Sequence, residues 1–185
     1  MAAVDTRGRS RNGWATIPHP RLCESAIPMR RVFLEPRELD LARRLADRRQ
    51  GSKHTPVNAK TYSRNNSPWE GHYMGLQGEI AVAKLVKFPI NESISPDGDG
   101  SEPDLWWKRD RVEVKTTRYN PPIMKFDKLT DFEDDICFLC CMSSEGVIDV
   151  AGYIRRADFY DCHTQKDFGF GIRACVGQAE LTQFK

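Results

Sequence analysis

No stretch of this sequence approaches the roughly 18 consecutive apolar residues that a membrane helix needs. The opening residues, 1–10, contain no apolar run of the signal-peptide kind. The expectation is a cytoplasmic protein with no membrane partner. Secretory features are lacking as well, so six cysteines in a chain of 185 residues do not read as a disulfide framework, and reduced thiols are expected. Cys137 and Cys140 have the spacing of a zinc pair, with Cys162, His163 or Cys175 as further ligands, but such pairs usually sit on turns. Here they lie in a strand-like run over 136–142, where odd spacing sends them to opposite faces. Buried thiols are the expected outcome. Internal repeats and low-complexity tracts are absent too, which removes solenoids and fibres.

What is present suffices for one domain with appendages, since 39% of 185 residues are hydrophobic. The net charge of +2 hides a division. Residues 1–70 carry 14 Lys and Arg against 7 Asp and Glu, a balance of +7, whereas 71–185 carry 14 against 19, a balance of −5. A basic leading part beside an acidic remainder suits a protein that grips a polyanion with one part and holds a metal with the other. The chain is accordingly read as a basic arm and helix over 1–70 and a core over 71–185.

Residues 1–28 have no apolar periodicity and read as an arm. Over 36–50, Leu39, Ala42, Leu45 and Ala46 recur at helical spacing, with Gly51 as a stop. Residues 52–68 read as a loop, 71–87 as the principal helix with the stripe Leu76, Ile80 and Ala83, and 91–102 as a second loop. In that loop Asp97 and Asp99 lack the glutamate of a calcium-binding EF-hand and read as turn residues. Strand-like segments follow at 104–107, 111–117, 136–142 and 147–154, then a short helical turn at 155–160 and a strand at 171–176. The mixed composition of 121–135 supports no assignment.

In the strand over 111–117, Val112, Val114 and Thr116 face one way while Glu113, Lys115 and Thr117 face the other. A tight turn at Lys108 and Arg109 pairs 107 with 110, 106 with 111 and 105 with 112, which brings Asp104 opposite Glu113. The same register puts Leu105 and Trp107 on the side of Val112 and Val114, so the apolar pattern supports it independently. Apposed carboxylates repel, and a hard divalent cation between them relieves the repulsion. Lys115 stands about two residues along on the same face, close enough to reach a metal-bound water. Glu79, flanked by Leu76 and Ala83 on the principal helix, points inward and needs a partner.

Pro103-Asp104 followed by Glu113-Val114-Lys115 resembles the PD-(D/E)xK signature of restriction-endonuclease-like nucleases. Gly75-Leu76-Gln77-Gly78-Glu79 resembles the helical glutamate motif that precedes that signature in many members, especially phage and resolvase-like ones. The resemblance covers residues 71–160. It implies an α/β fold with a mixed central β-sheet, whose central hairpin carries the signature and whose flanks are helices. It also implies hydrolysis of phosphodiester bonds in DNA with Mg²⁺, for which Mn²⁺ substitutes. Asp104, Glu113 and the carbonyl of Val114 would hold the metal, Glu79 would bind it directly or through water, and Lys115 would orient or deprotonate the attacking water. Arg43, Arg44, Arg48 and Arg49, with Thr117, are the expected nucleic-acid contacts. The sequence leaves open a homodimer acting on two strands. The rival reading is a catalytically silent binding or packaging subunit on the same fold.

Overall fold

The computed structural model describes residues 28–52, 67–92, 102–169 and 171–184. Most of the expected arm and of the loops over 52–68 and 91–102, including Asp97 and Asp99, lies outside them. The elements run β1 (Arg30–Phe33), α1 (Pro36–Ser52), α2 (Pro68–Val86), β2 (Leu105–Trp107), β3 (Asp110–Thr117), β4 (Ile123–Phe126), β5 (Ile136–Ser144), β6 (Val147–Arg155), α3 (Arg156–Cys162), β7 (Thr164–Asp167) and β8 (Ile172–Gly177).

The chain is a mixed α/β protein. Its larger sheet has the order β1-β6-β5-β3-β2, with β3 and β5 parallel and the other neighbours antiparallel. A smaller antiparallel sheet, β4-β8-β7, lies in a second layer. The β2–β3 hairpin therefore stands at one edge of the larger sheet, not at its centre as the sequence suggested; β5 occupies the middle. The reason is legible in β5 itself: Ile136, Phe138, Cys140 and Met142 pack under α1 and α2, while Cys137 and Leu139 pack against β4, β8 and α3. A strand apolar on both faces belongs inside a sheet. Cys137 and Cys140, both buried and free, thus fall on opposite faces.

Helix α2 begins three residues before the expected start because Ser67 and Glu70 form a reciprocal capping box with Pro68 in the first turn. Lys87, in the left-handed conformation at φ 61°, closes its other end. The charge-based division at residue 70 falls inside α2, and Ala42, Leu45 and Ala46 of α1 share one core with Leu76, Ile80, Val112 and Val114. Gly78 lets α2 lie directly on β3, because a Cβ there would come within 1.9 Å of Thr116 Oγ1. That close approach brings Glu79, the next residue, to the hairpin. Among the described residues, no helix is long and apolar enough to cross a membrane.

Candidate active site

The hairpin register is the one expected: Leu105 pairs with Val112, Trp106 with Arg111 and Trp107 with Asp110. Lys108 accepts a positive φ of 61° in the turn. Leu105, Val112 and Val114 turn into the helix-covered core. Asp104, just before β2, folds its Oδ2 onto the backbone N–H of Val114 at 2.7 Å. Glu113 and Lys115, two residues apart on the other face of β3, form an ion pair. The Lys115 ammonium also lies 4.9 Å from the centre of the Phe126 ring on β4, a cation–π contact that fixes its direction.

Glu79 is almost completely buried, and both of its oxygens are taken by Arg49, at 2.8 and 2.9 Å. Arg49 is one of the arginines expected to meet nucleic acid; the structure turns it inward instead. Arg43 pairs with Asp40 and Glu145 and lies over the Tyr73 ring. Arg44 and Arg48 remain exposed on α1. The Thr117 hydroxyl accepts a hydrogen bond from the Tyr119 N–H at 3.1 Å.

Asp104 stands at the junction of these two ion pairs, and its chemistry follows from that place. Burial pushes its carboxyl well above the usual range, and the charges of Glu79 and Glu113 push the same way against the Val114 N–H and Arg49. Burial likewise raises the Glu113 carboxyl, with Asp134 and Asp131 assisting and Lys115 opposing. On Lys115, burial pulls the ammonium down, but the Glu113 charge and hydrogen bond, with Asp104 behind them, prevail and hold it above its ordinary value. Three carboxyl groups thus share two cations, and Asp104 is the one left without a cation of its own.

Asp104 and Glu113 also line a cleft of 370 Å³ with Glu102, Asp131, Glu133, Asp134 and Arg111. Arg111 is engaged by Asp134 at 2.8 Å. The contribution of residues 131–134 was missed from sequence because they lie in the stretch that supports no assignment. The available signal was the density of carboxylates at Asp131, Glu133, Asp134 and Asp135, immediately before the strand that pairs in parallel with β3.

Among the described residues, no group of three or more His, Cys, Asp or Glu side chains converges to cage a metal. The donor set nevertheless fits a hard cation of the Mg²⁺ kind, which takes only one or two carboxylates and fills its other positions with water or phosphate oxygen. Asp104 and Glu113, with the Val114 carbonyl, would supply those oxygens, and a cation there would favour the charged carboxylates that burial and neighbouring charges disfavour. Glu79, already clasped by Arg49, fits a supporting place better than a direct one. No protein-family model, curated protein or solved structure matches this chain.

Proposed function

We propose that this protein is a divalent-metal-dependent nuclease with a restriction-endonuclease-like core, hydrolysing phosphodiester bonds in DNA. The observation that carries the reading is the position of Asp104 beside Glu113, at the rim of an acidic cleft and in electrostatic contact with Lys115. A surface meant only to hold a polyanion gains nothing from six carboxylates around one engaged arginine. Those carboxylates repel a phosphate until a cation neutralises them, so catalysis and metal loading are coupled by charge.

A bound divalent cation would supply Lewis-acid neutralisation of the phosphate and a more acidic attacking water. The chain's own residues do the rest. Asp104 and Glu113 present oxygens from two adjacent backbone segments tied together by the Asp104–Val114 hydrogen bond. Lys115, kept as an ammonium by Glu113, donates hydrogen bonds and stabilises negative charge that develops on the phosphate; in that state it orients the water and does not take its proton. Arg49 clasps the buried Glu79 beside the hairpin, where the Glu79 charge acts on Asp104.

The test is incubation of the protein with circular single-stranded, supercoiled duplex and branched DNA in Mg²⁺, Mn²⁺ or EDTA. Products are expected with either metal, none in EDTA, and none from Asp104→Asn or Glu113→Gln. Binding without products on every substrate would replace this reading with that of a silent binding or packaging subunit.

A further inference from the structure

A second cavity, of 490 Å³, lies between the first half of α2 and the β5–β6 turn and shares no lining residue with the acidic cleft. Gln77 lines it and is wholly buried. The Gln77 Oε1 accepts the N–H of Gly146 at 2.8 Å, which fixes the orientation of the amide. Its other end, Nε2, is buried with no hydrogen-bond partner. A buried donor without an acceptor is costly, and an acceptor brought by a ligand removes the cost.

The same cavity is lined by Trp69 and Tyr73, stacked with ring centres 5.0 Å apart and planes inclined by 26°. Each ring is tied at its polar tip: Trp69 Nε1 donates to Asp47 at 2.7 Å and the Tyr73 hydroxyl donates to Glu145 at 2.6 Å. The aromatic pair is therefore a fixed platform. Met74 and Met142 add soft apolar lining, and exposed Arg118 adds positive charge. The two carboxylates at the cavity are already engaged, Glu70 by the Ser67 N–H and Glu145 by Tyr73 and Arg43.

A flat aromatic surface beside a fixed, unpaired donor selects a ligand that is itself flat and carries acceptors along its edge. Nucleobases have both properties: a π-face in every case, and ring nitrogens or carbonyl oxygens at the edge. We propose that this cavity receives one base of a single-stranded or locally unpaired nucleic acid, stacked on the Trp69–Tyr73 pair and accepting a hydrogen bond from Gln77 Nε2. The nuclease reading enters only in the identity of the occupant.

The experiment is photocrosslinking in EDTA, where cleavage cannot interfere, with a short single-stranded oligodeoxynucleotide carrying 5-iododeoxyuridine and mapping by mass spectrometry. Crosslinks are expected at Trp69 or Tyr73. An unmodified oligomer should compete, whereas one of equal length made of abasic residues should compete at least about tenfold less well. Gln77→Met, of similar length but without the donor, and Trp69→Leu should each weaken binding by about tenfold. If Gln77→Met does not fold, the crosslink map and Trp69→Leu still decide. Stronger competition by deoxynucleoside monophosphates than by the oligomer would assign the cavity to free nucleotides and overturn the strand. Crosslinks confined to other residues, or equal competition by the abasic oligomer, would overturn the base pocket itself. Asp104→Asn separates the two proposals: it should lose cleavage and keep the crosslink.

Discussion

Arg49 on α1 and Glu79 on α2 form a two-pronged ion pair in which the glutamate side chain is 4% exposed and the arginine side chain 25%. It joins the two helices at the point where α2 meets the hairpin, and Asp104 feels both partners. Burial pulls the Arg49 guanidinium down, but Glu79 and then Asp104 more than compensate, so the arginine stays charged.

Removing the arginine alone should therefore cost far more than removing the pair. Arg49→Met strands a buried carboxylate beside Asp104 and should lower unfolding free energy by about 2–3 kcal/mol, reduced from the fully buried case because Arg49 keeps some contact with water. The double variant with Glu79→Leu should recover most of that loss. Urea unfolding of the two variants measures the difference. A single variant within about 0.5 kcal/mol of wild type would mean that Glu79 reaches solvent and needs no partner.

Gly78 makes a second prediction, because a Cβ there would meet Thr116 Oγ1 at 1.9 Å and Thr116 Cβ at 3.2 Å. Gly78→Ala gains helix propensity, but it must push α2 off β3, and overpacking of this kind costs about 1–3 kcal/mol. Thr116→Ala removes the nearer atom, and with it a buried hydroxyl that has no hydrogen-bond partner. It should be close to neutral by itself and should rescue part of the Gly78→Ala loss. Thermal unfolding of the cycle checks the coupling; simple additivity would place the strain elsewhere.

The hairpin was legible because two signals of different origin agreed, the alternation over 111–117 and the tight turn at Lys108 and Arg109. The β5–β6 pair was legible without alternation, as two apolar strand-like runs, because both strands are buried almost throughout. What was missed lacks such signals. All four residues of β7 are exposed, so no alternation exists to read, and β1 buries only Val32. In β4 Met124 and Phe126 do alternate with Ile123 and Lys125, but over four residues following two prolines. The edge placement of the hairpin depends on β5 being apolar on both faces, a property of the assembled layers. Arg49 was indistinguishable from its neighbours for a similar reason: among the arginines of α1, only the packing of α1 on α2 decides which one turns inward.

Asp149 gives a pH prediction away from the site. It faces Arg31 across the β1–β6 pair and accepts from its guanidinium at 2.7 and 3.0 Å. That hydrogen bond, with help from Ser143 and against burial, holds the Asp149 carboxyl below its usual value. The folded state therefore binds fewer protons than the unfolded one between the two values. The stabilisation is fully present above the unfolded value, near 3.9, and is lost as pH falls through the lowered folded value. Asp149→Asn should be less stable at neutral pH and should lose less on acidification below about pH 4 than wild type does. Equal slopes of stability against pH in the two proteins would show that the Arg31 contact is already broken in solution.

Lys115 is the residue on which the proposed chemistry turns. Its ammonium is held between the Glu113 carboxylate and the Phe126 ring, beside the carboxylates proposed to hold the metal. Its charge should matter most when negative charge builds on phosphorus, so Lys115→Ala should leave DNA affinity within a few-fold and lower the cleavage rate by about 100-fold or more. That corresponds to about 3 kcal/mol of transition-state stabilisation. Removing the ammonium also frees Glu113 from its ion pair, so Mn²⁺ affinity measured by calorimetry should hold or increase. Single-turnover cleavage at saturating enzyme separates the chemical step from binding. Because Lys115 stays protonated, Lys115→Arg should retain more activity than Lys115→Ala, although the planar guanidinium cannot reproduce the geometry of an ammonium. An alanine variant that cleaves at the wild-type rate would falsify the assignment of Lys115, and would leave Asp104 and Glu113 as a charged hairpin without the chemistry proposed for it.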